Sequence, residues 1–182
     1  MGYNLARLWR NIRLKIANGR DLSLPLRTKL GKSADICCEM GIVQIGDHGS
    51  AMDNVHLSAI SGGKLIIGDN THINRNCIFV SRKDIHIGNN VSFGPNVCIY
   101  DHDHCFDVNG KKDGYTLGEV IIGDNCWIGA GCIILKDTNI GEGCVIGAGC
   151  VLKGTIPSHS LVTMNRSLVV RKLEDRDHGE KN

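Results

Sequence analysis

A chain of 182 residues has room for one domain of ordinary size with terminal extensions. Its formal net charge of +2 creates no field that would gather nucleic acid or an acidic polymer. Aromatic residues reach only 4% against 23 glycines, which argues against a broad layered core and for a narrow one built from small repeated units.

No apolar run is long enough to span a bilayer, and the N-terminus lacks the apolar stretch of a secretory signal, so a cytoplasmic location is expected. Residues 1–30 are expected to form a helix and cap. Leu5, Leu8, Trp9, Ile12 and Ile16 recur at helical spacing, with Arg7, Arg10, Arg13 and Lys15 among them. Such a basic amphipathic helix could lie on an anionic membrane surface. It could equally cover an open end of the fold, where strand edges need protection. The modest apolarity favours the cap and leaves peripheral membrane contact through residues 1–20 open.

Beyond it the dominant signal is an internal repeat. Copies read "IGDNTH" from Ile67, "INRNCI" from Ile73, "IGNNVS" from Ile87 and "FGPNVC" from Phe93. From Ile122 the aliphatic residue returns every six, at Ile128, Ile134, Ile140, Ile146 and Leu152, and Gly usually follows it. A helix would need a period near 3.6. Six residues instead fit one short strand and one corner, so three units close a triangular coil whose copies stack at roughly 4.7–4.9 Å. Asn and Asp cluster at the corners, as at Asp69-Asn70 and Asp124-Asn125, where turns want them. Cys126, Cys132, Cys144, Cys150 and, earlier, Cys77 occupy one small-residue slot, which predicts buried, reduced core thiols rather than a disulfide framework.

Two slips interrupt the period. "SRKD" at 81–84 holds a small bulge, and a polar stretch near residues 100–118 is thrown outward as a long loop, a preferred place for function. Outward slots pair Trp127 with Val145 on one face and Ile133 with Val151 on another. Two apolar faces suit heterologous contacts in a closed ring, and a triangular prism favours a homotrimer. The repeats are expected over 31–157. Residues 158–182 are expected to form a C-terminal segment, a tail or helix, with the last residues expected to sway in solvent.

The motifs "VSFGPNVCIYDHDHCFD", "VIIGDNCWIGAGCIILKDTNIGEGCVIGAGCVLKGTIPSHSLV" and "INRN" resemble the hexapeptide-repeat O-acetyltransferases, over about residues 40–172. The resemblance implies an all-β, left-handed parallel β-helix, a trimer with active sites between subunits, and acetyl transfer from acetyl-CoA to a sugar or polysaccharide hydroxyl. It places the catalytic histidine at His104, after Ile99 and Tyr100, with His102 as its rival. An imidazole suits the task, because a weakly nucleophilic hydroxyl needs a base near neutral pH. Asp103, Asp107 and Glu119 are candidates to orient it. The resemblance further implies acceptor contacts at Asn74, Arg82 and Tyr100. It places donor contacts at Trp127, Gly129, Ala130 and Ala148, with an oxyanion amide near Gly129–Ala130, and phosphate contacts at Lys153 and Arg171. An acid that many sugar-modifying members carry near residue 81 or 82 is replaced by Ser81-Arg82, and their Gly-Asn-Pro-Ala turn by Thr163–Leu168.

Two other readings stand beside this one. A zinc-dependent carbonic anhydrase on the same fold would need two histidines four residues further apart than direct neighbours, whereas His102 and His104 have one residue between them. No metal is expected. A non-catalytic assembly module would have no use for a histidine-bearing loop.

Overall fold

The computed structural model describes residues 5–25 and 27–165. Helix α1, Leu5–Asn18, comes first among the described residues, a 3-10 turn at Gly19–Asp21 follows it, and every later described element but one hairpin is a short strand in parallel register. Those strands wrap a three-sided parallel β-helix. The first face carries Ile42–Ile45, Lys64–Ile67, Asp84–Ile87 and Glu119–Ile122. A second carries Ser50–Ala51, His72–Ile73, Ser92–Phe93, Trp127–Ile128 and Val145–Ile146, and a third His56–Ile60, Ile78–Ser81 and Cys98–Tyr100. Strands Ile133–Ile140 and Val151–Ile156 bend through the edge between third and first faces.

The coil begins earlier and ends later than the repeat motif shows. Leu22 pairs with Val43, ahead of the expected boundary at 31, and Leu161–Val162 pairs with Val145–Ile146, beyond 157. Early coils are longer: Val43 pairs with Leu65, Leu65 with Ile85, and Val120 with Thr138, so the turn shortens towards the strict eighteen. The extra residues share one edge, between third and first faces, at Met40–Gly41, Ser61–Gly63 and Arg82–Lys83. The expected "SRKD" bulge is one member of this column. So is the long insertion between Ile85 and Val120.

Inside, one residue per strand stacks on its copy above, as in Leu57, Phe79, Ile99 and Ile134, all at most 1% exposed. Corner residues separate two duties. Asn54, Asn76 and Asn96 take φ near +60° and link side chains in a ladder, Asn54 to Asn76 and Asn76 to Asn96 at 3.2 Å each. Asn adopts this left-handed conformation more readily than most residues. Gly88 serves closeness instead, because a Cβ there would sit 2.8 Å from the Asp124 backbone nitrogen of the next coil.

The cysteine slots are core, as expected. Cys77, Cys126, Cys132, Cys144 and Cys150 are no more than 2% exposed, and Cys126 and Cys132 donate to the carbonyls of Gly141 and Gly147 on the following coil at 3.1 and 3.2 Å. Burial pushes the Cys77 thiol up to about 11 and raises those of Cys126 and Cys132. Thiolate is the reactive form. Native protein is therefore expected to leave these five thiols unmodified by an aromatic disulfide reagent near neutral pH, and denatured protein to release them. A native titre that matches the denatured one would contradict the buried column.

Helix α1 covers the first coil. Asn11, fully buried, donates to the Thr28 carbonyl at 3.2 Å, while Asn18 donates to Ile36 O at 3.2 Å and accepts from Cys38 N at 2.8 Å. Those bonds satisfy backbone groups that an uncapped end would leave bare.

Candidate active site

The insertion at the third-to-first edge is an antiparallel hairpin, His102–Asp107 with Gly110–Leu117, rather than an irregular loop. Val108 and Asn109 form its tip, with Gly110 at φ +101° closing the turn. His102 pairs with Leu117 and His104 with Tyr115, and the register shifts between His104 and Phe106.

Asp101 roots this hairpin. Strand alternation turns Ile99 inward, Tyr100 outward and Asp101 inward again, and its carboxylate is fully buried. It accepts from Arg82 N at 2.8 Å, from Lys83 N at 2.8 Å and from the Ser81 hydroxyl at 2.7 Å. His102 Nδ1 lies 3.0 Å from its second oxygen face, at Oδ1. The Asp101 carbonyl takes the Gly118 amide at 2.7 Å, which closes the base of the hairpin. A buried carboxylate is tolerated only when donors surround it in this way.

The two candidate histidines therefore differ. The His102 side chain is 12% exposed, tied to Asp101 and set edge-on to Tyr100 and Tyr115 at 6.2 and 5.4 Å between ring centres. His104 is exposed and leans against Tyr115, ring centres 4.7 Å apart. The Arg82 guanidinium lies 3.7 Å over the same Tyr115 ring, within cation–π range, and has no carboxylate partner among the described residues. Burial, with Cys98 beside it, raises the Tyr100 phenol above its ordinary value. Three acids considered as orienters of the imidazole are engaged elsewhere. Asp107 pairs with Lys112 at 2.7 Å and Glu119 with Lys83 at 2.9 Å, while Asp103 faces Lys136 at 3.9 Å. Among the described residues, the one carboxylate on a hairpin histidine is Asp101, on His102.

Most of the remaining candidate residues gather on another edge, between second and third faces. Gly129–Ala130 and Ala148 follow adjacent strands of the second face and stack there, while Asn74 follows His72–Ile73 on the same edge, one coil further back beyond Gly94. Asn74 lines a shallow groove with Trp127, His72 and Phe93. Trp127 is 57% exposed, above Val145 and Leu161 on its face, and Ile133 and Val151 are exposed on the third. A Cβ on Gly129 would stand 2.6 Å from Ala148 N. The Gly129 amide is committed to Ile146 O at 2.8 Å, whereas among the described residues the Ala130 and Ala148 amides have no backbone acceptor. Lys153 is exposed on the hairpin's edge rather than on this one, and Arg171 lies outside the described residues. Among the described residues, no group of three or more His, Cys, Asp or Glu side chains is arranged to hold a metal ion.

The family described as bacterial transferase hexapeptide (six repeats) matches residues 119–154. A relative from Staphylococcus aureus (strain MRSA252) that carries an acetyltransferase name is 34% identical over 160 residues, 79% of this chain and 80% of that one. Galactoside O-acetyltransferase of Lactococcus lactis subsp. lactis (strain IL1403) is 37% identical over 127 residues, 66% of this chain and 61% of the relative. The N-acyltransferase AntD from Bacillus cereus, in complex with dTDP and 3-hydroxybutyryl-CoA, superposes with a TM-score of 0.67 at 20% identity, covering 83% of this chain and 81% of that one. This last likeness speaks for the fold alone.

The chain belongs to the hexapeptide-repeat acetyltransferase family. It spans about three fifths of the length of several curated relatives it matches, 60% for a yeast protein and 61% for the Lactococcus enzyme.

Proposed function

We propose that the protein is an acetyl-CoA-dependent O-acetyltransferase that acts as a homotrimer on a sugar or polysaccharide hydroxyl. One observation carries this reading: the candidate residues fall on two different edges of the same prism. His104, Tyr100 and Arg82 mark one edge, while Asn74, Ala130 and Ala148 mark the other. The third face separates the edges by about five strand residues, roughly 15–20 Å. That is too far for one acceptor hydroxyl to touch both within a chain. The two exposed apolar faces suit head-to-tail contacts that bring one edge against the next subunit's opposite edge. Membership of the acetyltransferase family and the galactoside enzyme among the relatives support donor and acceptor class.

In this reading Asn74 and the Arg82–Tyr100 edge hold the acceptor, and the acyl-CoA arm lies along Trp127 and the Ala130 and Ala148 corners, with Lys153 and Arg171 for its phosphates. His104 takes the hydroxyl proton as the oxygen attacks the thioester carbonyl. The Ala130 amide, free of backbone partners, donates to the oxyanion. Collapse breaks the carbon–sulfur bond, the acetyl ester remains on the acceptor, and His104 returns its proton to the CoA thiolate. His102, held against Asp101 and screened by two tyrosines, fixes the hairpin that displays His104. Mass spectrometry of glycans after incubation with acetyl-CoA tests the activity directly. A mass gain of one acetyl group is expected on a hydroxyl, and transfer confined to amino sugars would redirect the reading to N-acylation.

A further inference from the structure

Helix α1 has an inner and an outer side, and the fold uses the inner one. Asn11, Leu14 and Asn18 face the first coil, where Asn11 and Asn18 hold backbone carbonyls and Leu14 packs on the core. The other side shows Trp9, 69% exposed, and Ile16, 78% exposed, which line a shallow groove with Ile12 and Arg13. No acidic residue occurs between Leu5 and Asn18, whereas Arg7, Arg10, Arg13 and Lys15 do. The helix is too short and too polar to span a bilayer.

We propose that this outer side of helix α1 docks the protein on an anionic lipid bilayer. Trp9 and Ile16 enter the boundary between headgroups and acyl chains, the depth that a tryptophan ring favours. Arg13 and Lys15 meet lipid phosphates. Charge decides for lipid over a second copy of the same face, because two such helices would bring cations together without an anion between them. In the trimer proposed above, cyclic symmetry places all three helices at one end of the ring, so one flat surface meets them together. Docking itself depends on neither that assembly nor catalysis. It would place the active site beside acceptors that are carried on membrane lipid.

The test uses the full chain with Trp127→Phe, so that Trp9 is the sole tryptophan, and vesicles of phosphatidylcholine with or without phosphatidylglycerol. Co-sedimentation with the anionic vesicles is expected to be at least about tenfold tighter than with neutral ones, to weaken with salt, and to move Trp9 emission to the blue. Ile16→Ser and, read by sedimentation alone, Trp9→Ser/Ile16→Ser should abolish binding. Arg13→Glu/Lys15→Glu should lower it about tenfold or more. Circular dichroism of each variant reports an intact β-helix. No binding to anionic vesicles, equal binding to neutral ones, or binding undiminished in the double serine variant would overturn the proposal. So would a concentration-dependent self-association lost in that variant without any vesicle binding. Acetyl transfer to a soluble glycan, measured on the Ile16→Ser and Arg13→Glu/Lys15→Glu variants with Trp127 restored, reads the proposed activity independently.

Discussion

Alanine at His104 is expected to lower kcat for acetyl transfer by a factor of about 10² to 10⁴, with the KM for acetyl-CoA little changed. The size follows from what the residue supplies. A sugar hydroxyl at neutral pH holds its proton, so attack on a thioester without a base requires a far less favourable alkoxide or an unassisted transfer. The residual rate comes from binding and from the Ala130 amide, which the substitution leaves in place. The donor arm is expected to be gripped along the Ala130 and Ala148 corners, with only its thioester meeting His104 across the seam, so its affinity should hold. His102→Ala acts differently, because that ring touches Asp101 and two tyrosines rather than open solvent. Its loss should loosen the hairpin and reduce activity less. A larger kcat loss for His102→Ala in a variant that melts normally would transfer the base to His102.

Asp101→Ala is expected to cost about 3 kcal/mol of stability or more. Its carboxylate is the acceptor for the Arg82 and Lys83 amides in a fully buried position, and a methyl group would leave both donors bare. The Ser81 hydroxyl has a fallback at Lys64 O, 2.8 Å away, so it adds little to the loss. Against a total stability of about 5–15 kcal/mol, this is a large fraction. Asn at the same place keeps the shape but opposes an NH2 to a backbone N–H, so it should also destabilise. Chemical denaturation of the purified variants checks both. A shift of less than about 1 kcal/mol for the alanine variant would mean that the hairpin root is held by something else. Activity is expected to fall below the melting range as well, since His104 would lose its fixed base.

Much of this architecture was legible in the sequence because its restraint is periodic. Ile122 to Leu152 repeat without interruption, and the thiol slots beside them revealed the core directly. The first coils escaped because their period is not constant: pairs such as Leu22 with Val43 and Val43 with Leu65 carry extra residues at one edge. Those residues have little in common, from Met40 to Ser61 to Arg82. The hairpin read as a polar loop because nearly every residue of its second strand is exposed, so no apolar alternation marks it. In the sequence Asp103, Asp107 and Glu119 stand ahead of Asp101 as orienting acids. A signal existed: two residues beyond the inward Ile99, an acid occupies an inward slot, and a charge there demands donors. The separation of Asn74 from His104 belongs to the folded coil alone, because the uneven period of the early coils hides which edge each residue reaches.

Mixing subunits tests the shared seam most directly. His104→Ala and Asn74→Ala proteins, each nearly inactive alone, are to be unfolded together, refolded at equal amounts and assayed for acetyl transfer. Random reassembly pairs an intact His104 edge with an intact Asn74 edge at about a quarter of the seams, so activity should recover to about a quarter of the native level. Mixed protein as inactive as its two parents would place both residues in one subunit's site and contradict the account.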